Sequence, residues 1–140
     1  MIEEFSIEHV SQIGGSPYHF AAIKAWVEIV EAGYGDGANL SISYDDQAIV
    51  MKDGETVIGL IVWRNLKWCQ SAWVCVGWVR PEYRRRGFYR RLYEATRNAA
   101  KVAGARLLDG GVNPANSAIL KSAEAMGRVQ HGITLRDTLE

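Results

Sequence analysis

Nine uncharged residues, Ser71-Ala-Trp-Val-Cys-Val-Gly-Trp-Val79, end on Arg80-Pro81 and lead through Arg84-Arg-Arg-Gly87 into a helical pattern from Phe88 to Ala103. No other stretch restricts the fold as much. Trp73, Cys75 and Val79 alternate with Ala72, Val74, Val76 and Trp78, so both faces of the strand are apolar. A strand of that kind has to be covered on both sides, which places it in the interior of a sheet. Gly77 inside it predicts a bulge or a close backbone approach. In the helix that follows, Phe88, Leu92, Ala95, Ala99 and Val102 share one face, with Arg90, Arg91, Glu94, Arg97 and Lys101 away from it. Between strand and helix the chain turns through arginines and a glycine. The first N–H groups of a helix lack intrahelical partners, and the dipole adds about half a positive charge there. This architecture suits a bound phosphate.

The charge distribution agrees. Sixteen Lys and Arg balance sixteen Asp and Glu. Zero net charge argues against a nucleic-acid or membrane partner, but seven of the sixteen basic residues (Arg80, Arg84, Arg85, Arg86, Arg90, Arg91 and Arg97) fall within eighteen positions. Anion binding is therefore expected to be local.

A length of 140 residues suits a single domain spanning 1–140. Cys69 and Cys75 match no zinc or redox spacing, and on one strand they would share a face too far apart to bond; both read as buried thiols in a reducing compartment. His9, His19 and His131 have no metal spacing, and no metal is expected. The acidic start, Met1 to Phe5, has no signal-peptide core, and no apolar run reaches membrane-spanning length. These features point to a cytoplasmic protein.

The remaining elements follow from periodicity and turn chemistry. Phe5 to Val10 alternates as a short strand, broken by Gly14-Gly15. Ser16 and Pro17 read as the cap and first position of a helix buried through Phe20, Ile23, Trp26 (or Val27) and Val30, with Lys24, Glu28 and Glu31 on the other side. Gly33 stops it, a glycine-rich loop runs to Asn39, and Leu40 to Gln47 reads as a short helix or irregular chain. Ala48 to Lys52 and Thr56 to Trp63 form a hairpin about Asp53-Gly54. Arg106 to Val112 is a short strand, Asn116 to about Met126 a helix capped by Gly127, and Val129 to Leu135 a final strand. The five tryptophans are core by default, with Trp68 and Trp73 the ones that would line a second pocket. Antiparallel strands thus come first and helix-linked, parallel strands follow.

From about Ala48 to Gly127 the chain resembles the GNAT superfamily of acyl-CoA-dependent N-acyltransferases. The family's pyrophosphate motif, Arg/Gln-x-x-Gly-x-Gly/Ala, is matched by Arg84 and Gly87, with Pro81-Glu82-Tyr83 before it. Tyr89 stands where the motif has a small residue, so its side chain must turn away from the phosphates. The family's second segment, an Asn with a Gly eleven residues on, is matched by Asn116 and Gly127. The usual aromatic after that Gly is Arg128 here, and the usual Tyr four residues before it is Ala123.

The resemblance implies an α/β (α+β) fold with a mixed central sheet. Its N-terminal strands are antiparallel, its fourth and fifth strands are parallel and splayed, and helices cover both faces. It implies acetyl-CoA as donor, a primary amine on a small molecule or peptide as acceptor, and direct transfer in a ternary complex. Gly77, Trp78 and Val79 would pair with the pantetheine arm; Arg84, Arg85, Arg86, Gly87, Phe88, Tyr89 and Arg90 would surround the pyrophosphate, mostly through main-chain N–H groups; Asn116 would bond the arm, cap its helix, or both.

The catalytic groups are open. The strand Ser71–Val79, where many relatives hold a glutamate base, has no Asp, Glu or His. Asp45, Asp46 and Asp109 are the acids to consider, and Ser122, beside the vacant tyrosine position, is the candidate proton donor. The alternative is a catalytically weak or inactive module with the same fold that binds CoA or a protein. Relatives usually have two strands after the last helix; this chain has room for one, which leaves a homodimer completing the sheet as an expectation.

Overall fold

The computed structural model describes residues 5–33, 42–112, 115–131, 137 and 139. Its elements are β1 (Phe5–Val10), α1 (His19–Glu31), β2 (Gln47–Asp53), β3 (Thr56–Leu66), β4 (Ser71–Val79), α2 (Phe88–Val102), β5 (Leu107–Gly110) and α3 (Ser117–Ala125). The strands form one sheet in the order β1-β2-β3-β4-β5. The pairs from β1 to β4 are antiparallel, and β4 with β5 is parallel.

Alternation along β2 and β3 builds two cores. Ile49, Met51, Ile61 and Trp63 face Phe88, Leu92, Tyr93 and Ala100 of α2. Ala48, Val50, Leu60 and Val62 face Ala22 and Ala25 of α1. The two helices therefore cover opposite faces of the sheet. No described helix is long and apolar enough to cross a membrane.

The strict alternation read into β4 is broken. Val62 pairs with Val76 but Trp63 with Val74, so Cys75 is the extra residue of a bulge. Ahead of it Ala72 and Val74 pack on the α2 side; beyond it Val76 and Trp78 pack on the α1 side. The bulge sits at Cys75, and Gly77 marks a close approach instead. Asp46 lies beneath the bulge, 2% exposed. Its carboxylate accepts from Arg64 Nε at 2.7 Å and Nη2 at 2.9 Å, and from the Ser43 N–H at 2.7 Å.

Several local expectations shift. The first helix begins at His19, with Tyr18 as its cap; Ser16 Oγ instead donates to the Ile13 carbonyl and accepts from the Tyr18 N–H, forming a turn before it. Its buried face is Ala22 and Ala25, with Trp26 and Ile29 partly covered, while Phe20, Ile23 and Val27 are exposed. Small residues let α1 sit close to the sheet, and the bulky stripe is turned outward. In α2, Val102 is exposed and Thr96 buried, its hydroxyl satisfied by the Leu92 carbonyl at 2.8 Å. The hairpin turn is Gly54-Glu55, with Gly54 at φ 58° as the first central residue and a bulge at Met51/Lys52 absorbing the one-residue offset.

Cys69 lies exposed in a 3-10 turn, and only Cys75 is buried. Among the tryptophans, Trp63 is fully buried, whereas Trp68 is 85% exposed. The fifth strand is shorter than expected, Leu107–Gly110. Residues 42–46 are irregular. Val129 to His131 are irregular too, so the expected last strand does not start there; its remainder, residues 132–135, and the glycine-rich loop over 34–41 lie outside the described residues.

Candidate functional site

Among the described residues, the β4–β5 ladder is short. Ser71 through Val74 of β4 pair with Leu107 through Gly110 of β5, and the described ladder goes no further. From Cys75 to Val79 the side of β4 turned toward β5 carries no described strand. Such an edge can accept an extended ligand the way a sheet edge accepts a peptide, apart from the Val79 carbonyl, which is taken by Arg84 Nε. Gly77, Trp78 and Val79 lie on this segment.

At its end the chain makes a short 3-10 turn, Pro81–Tyr83, and then bends twice into the left-handed region, at Arg85 (φ 62°) and Gly87 (φ 80°). A non-glycine residue rarely holds that conformation, so Arg85 is a strained position that the surrounding turn maintains. Gly87 is the N-cap of α2. No side chain caps that end, and no acidic residue lies in the first turn. The N–H groups opening α2 therefore face outward without a built-in acceptor. A Cβ on Gly87 would meet nothing within 4 Å; glycine is required there by the backbone angle, not by crowding.

The arginines divide their work. Arg84 faces the protein: its Nε donates to the Val79 carbonyl at 2.7 Å and its Nη2 to Glu28 at 2.9 Å. Arg86 lies over the rings of Phe5, Tyr83 and Phe88, 5.1–5.9 Å from their centroids. Those aromatic rings pack edge-on at the foot of the turn and brace it. Arg85 is exposed. Arg90 pairs with Glu94 one helical turn on, at 3.5 Å, leaving it on the solvated face of α2.

Glu28 is the residue that sequence reasoning missed, since its position on α1 reads as solvent-facing. It accepts from Trp78 Nε1 at 2.6 Å as well as from Arg84. Its carboxylate thus ties α1 to the end of β4 and to the turn while remaining 41% exposed. The available signal was the indole N–H of Trp78, a donor on a covered strand that needs an acceptor.

Phe88 is buried and packs in the α2-side core. Tyr89 turns off the turn and lays its ring on Gly77: a Cβ there would come within 2.9 Å of Tyr89 Cε2 and 3.0 Å of its hydroxyl. Burial pushes the Tyr89 phenol up, and the neighbouring Arg128 guanidinium pulls against that. Asn116 caps α3, its Oδ1 accepting from the Ile119 N–H at 3.3 Å, and its amide NH₂ remains as a donor.

The acids are placed differently from one another. Asp46 is bound by Arg64 beneath the sheet. Asp109 sits opposite Trp73 in the closed part of the β4–β5 ladder, with the Ser71 hydroxyl 3.4 Å away. Asp45 lies in the turn before β2. Ser122 is half-buried in the middle of α3.

A mixed α/β sheet with a parallel β4–β5 pair, helices on both faces and an uncapped arginine/glycine turn after β4 defines the class of fold. The chain belongs to the acetyltransferase (GNAT) family, whose model matches residues 17–127. No curated protein matches the chain. Among solved structures, it is similar to meta-AAC0020, an aminoglycoside acetyltransferase from an uncultured soil metagenomic sample (TM-score 0.74, 14% identity, 97% of each chain). It is also similar to the aminoglycoside N-acetyltransferase AAC(6')-Iy in complex with CoA (TM-score 0.68, 14% identity, 99% of this chain and 97% of that one). A third is the ribosomal-protein-alanine N-acetyltransferase of Brucella melitensis biovar Abortus 2308 (TM-score 0.72, 12% identity, 97% of this chain and 100% of that one). At such identities these likenesses establish the fold.

Proposed function

We propose that this chain, as one domain over 1–140, moves an acetyl group from acetyl-CoA to a primary amine, with both substrates bound together. The observation that carries the reading is the uncapped N-terminus of α2 behind the left-handed Arg85 and Gly87, set at the open end of β4. The main-chain N–H groups of residues 85–90 would hold the pyrophosphate, with Arg85 adding charge. The edge Gly77–Val79 would pair with the amide-rich arm, and the Asn116 amide would reach it from α3. These features fit the donor chemically: phosphate meets N–H groups and cation, and amides meet a free strand edge. Acetyl-CoA supplies an activated acyl group as a thioester.

The chain's own contribution is then mainly placement. Holding amine and acyl carbon together supplies much of the acceleration in reactions of this kind, and a main-chain N–H near Gly77 or Val79 is the natural donor to the acyl oxygen. The acceptor would approach from the α1 face, opposite the helix that holds the phosphates. Glu28 offers a partly exposed carboxylate on that face, a fit for a cationic amine on a small molecule or peptide. Deprotonation of the amine falls to water or to an acceptor of low pKa, since Asp46 is engaged by Arg64. That engagement favours a second reading, a CoA-binding or protein-interaction module without turnover.

Calorimetric titration with acetyl-CoA and with CoA tests the common ground, and both should bind. Absence of heat with either ligand sinks both readings. Thiol release across aminoglycosides, simple amines and peptide N-termini then separates them: turnover with one class supports the enzyme, and none with any supports the module.

A further inference from the structure

Arg97 stands apart from the arginines of the turn. At 1.5 Å of rise per residue, Phe88 and Lys101 of α2 are about 20 Å apart along the helix axis. Between the far end of α2 and the start of β5 lies a cavity of about 350 Å³, at the small end of the range for organic ligands, roughly 300–1,000 Å³. Local sequence creates it. Gly104, at φ 95°, ends the helix, and the Ala105 N–H bonds the Ala100 carbonyl at 2.9 Å. The Arg106 N–H then bonds the Gln70 carbonyl at 2.8 Å, which delivers the chain into β5. Ala100 and Ala105 are buried, 2% and 8% exposed, and side chains this small leave the space beside them unfilled.

Arg97, Lys101 and Arg106 line this cavity, and no acidic residue does. All three are exposed, and none is ion-paired among the described residues. Arg97 and Lys101 stand one helical turn apart, a spacing at which like charges repel. A cation at a helix C-terminus is favourable by itself, which accounts for Lys101. It does not account for Arg97, a turn earlier, or for Arg106, beyond the helix. The carbonyls of Ala99, Ala100 and Lys101 are already bonded by the N–H groups of Ala103, Ala105 and Gly104, so they do not call for the arginines. Two guanidinium forks and an ammonium around one space match the oxygens of a phosphate. Leu107, 61% exposed, and the half-buried Leu108 offer apolar surface beside them. We propose that this cavity binds an organic phosphate monoester, its phosphate among Arg97, Lys101 and Arg106 and its apolar body on Leu107 and Leu108. Such a monoester carries about −1.5 to −2 charges at pH 7 and would offset the repulsion among the three cations. Binding here is independent of whether the Arg84–Gly87 turn holds acyl-CoA.

The probe is 1-naphthyl phosphate, titrated into the full chain by calorimetry with and without saturating CoA. It should bind in both cases, and amide chemical-shift changes should fall at residues 97–108. The double variant Arg97→Ala, Arg106→Ala alters only exposed side chains, so its circular-dichroism spectrum should stay native while affinity for the probe falls about tenfold or more. Inorganic phosphate, which lacks the apolar body, should bind about tenfold more weakly than the probe. No heat with the probe in CoA-free protein overturns the proposal. Displacement of the probe by CoA, with shifts at 84–90, also overturns it, because the probe then reports on the turn. Unchanged affinity in the double variant does the same and leaves the three cations as solvated charges. Equal affinity for inorganic phosphate and the probe overturns the assigned ligand class. Protein that binds no CoA would fail the acyl-transfer reading while leaving the probe's heats in place.

Discussion

Glu28 and Arg84, fifty-six positions apart in the chain, are joined at 2.9 Å, and through that pair the N-terminal helix holds the Arg84–Gly87 turn against the end of β4. Arg84 also donates to Val79 and Glu28 also accepts from Trp78, so the contact is one link of a chain from α1 to the turn. The motif arginine therefore bolts the turn to β4 and α1. Because both groups are partly exposed, the ion pair alone contributes only about 0–1 kcal/mol. Glu28→Ala should lower stability in denaturant melts by about 1 kcal/mol yet weaken CoA binding several-fold in calorimetry, because the turn loses its anchor. Unchanged affinity would show that the turn holds its shape without α1.

Gly87→Val should separate fold from site. A β-branched residue at φ 80° costs about 1–3 kcal/mol in strain, which a domain of this size survives. The branched side chain would project into the space the proposed phosphates occupy. The expected result is a native circular-dichroism spectrum with CoA heats abolished. Full CoA affinity in that variant would place the site elsewhere.

Asp46 tests the division between structure and catalysis. Asp46→Ala should destabilise by on the order of 3 kcal/mol, since it leaves the Arg64 guanidinium and the Ser43 N–H without their acceptor. At a temperature where the variant is folded, its kcat should match the wild type. A selective loss of kcat with intact stability would return Asp46 to the catalytic candidates.

The two thiols should behave oppositely. Burial, with the Asp46 carboxylate beside it, pushes the Cys75 thiol from 9.0 up to about 12. A native-state thiol assay should therefore modify one group per chain, the exposed Cys69. The folded protein holds the Cys75 proton more tightly than the unfolded chain, so this stabilisation is complete below pH 9 and is lost as pH rises toward 12. Denaturation across that window should show wild type losing more stability than Cys75→Ala. Parallel losses in both would mean Cys75 titrates normally.

Much of this molecule was legible from the chain alone because the signals were local. The apolar run Ser71–Val79, the break at Pro81, the glycine at 87 and the helical period after it specify strand, turn and helix within one continuous stretch. Gly54 and Gly127 mark a hairpin and a helix end by the same short-range rule: only glycine takes a positive φ at little cost. Asn116 caps its helix where its spacing put it. Tertiary structure decided what depends on partners far along the chain. It chose Ala22 and Ala25 over Phe20 and Ile23 as the buried face of α1, inserted the bulge at Cys75 that moves Val76 and Trp78 to the other side of the sheet, joined Arg84 to Glu28, and laid Tyr89 over Gly77. Periodicity reports that a face is apolar, but which side chains meet on it is settled by close packing between elements, and packing has no local signature.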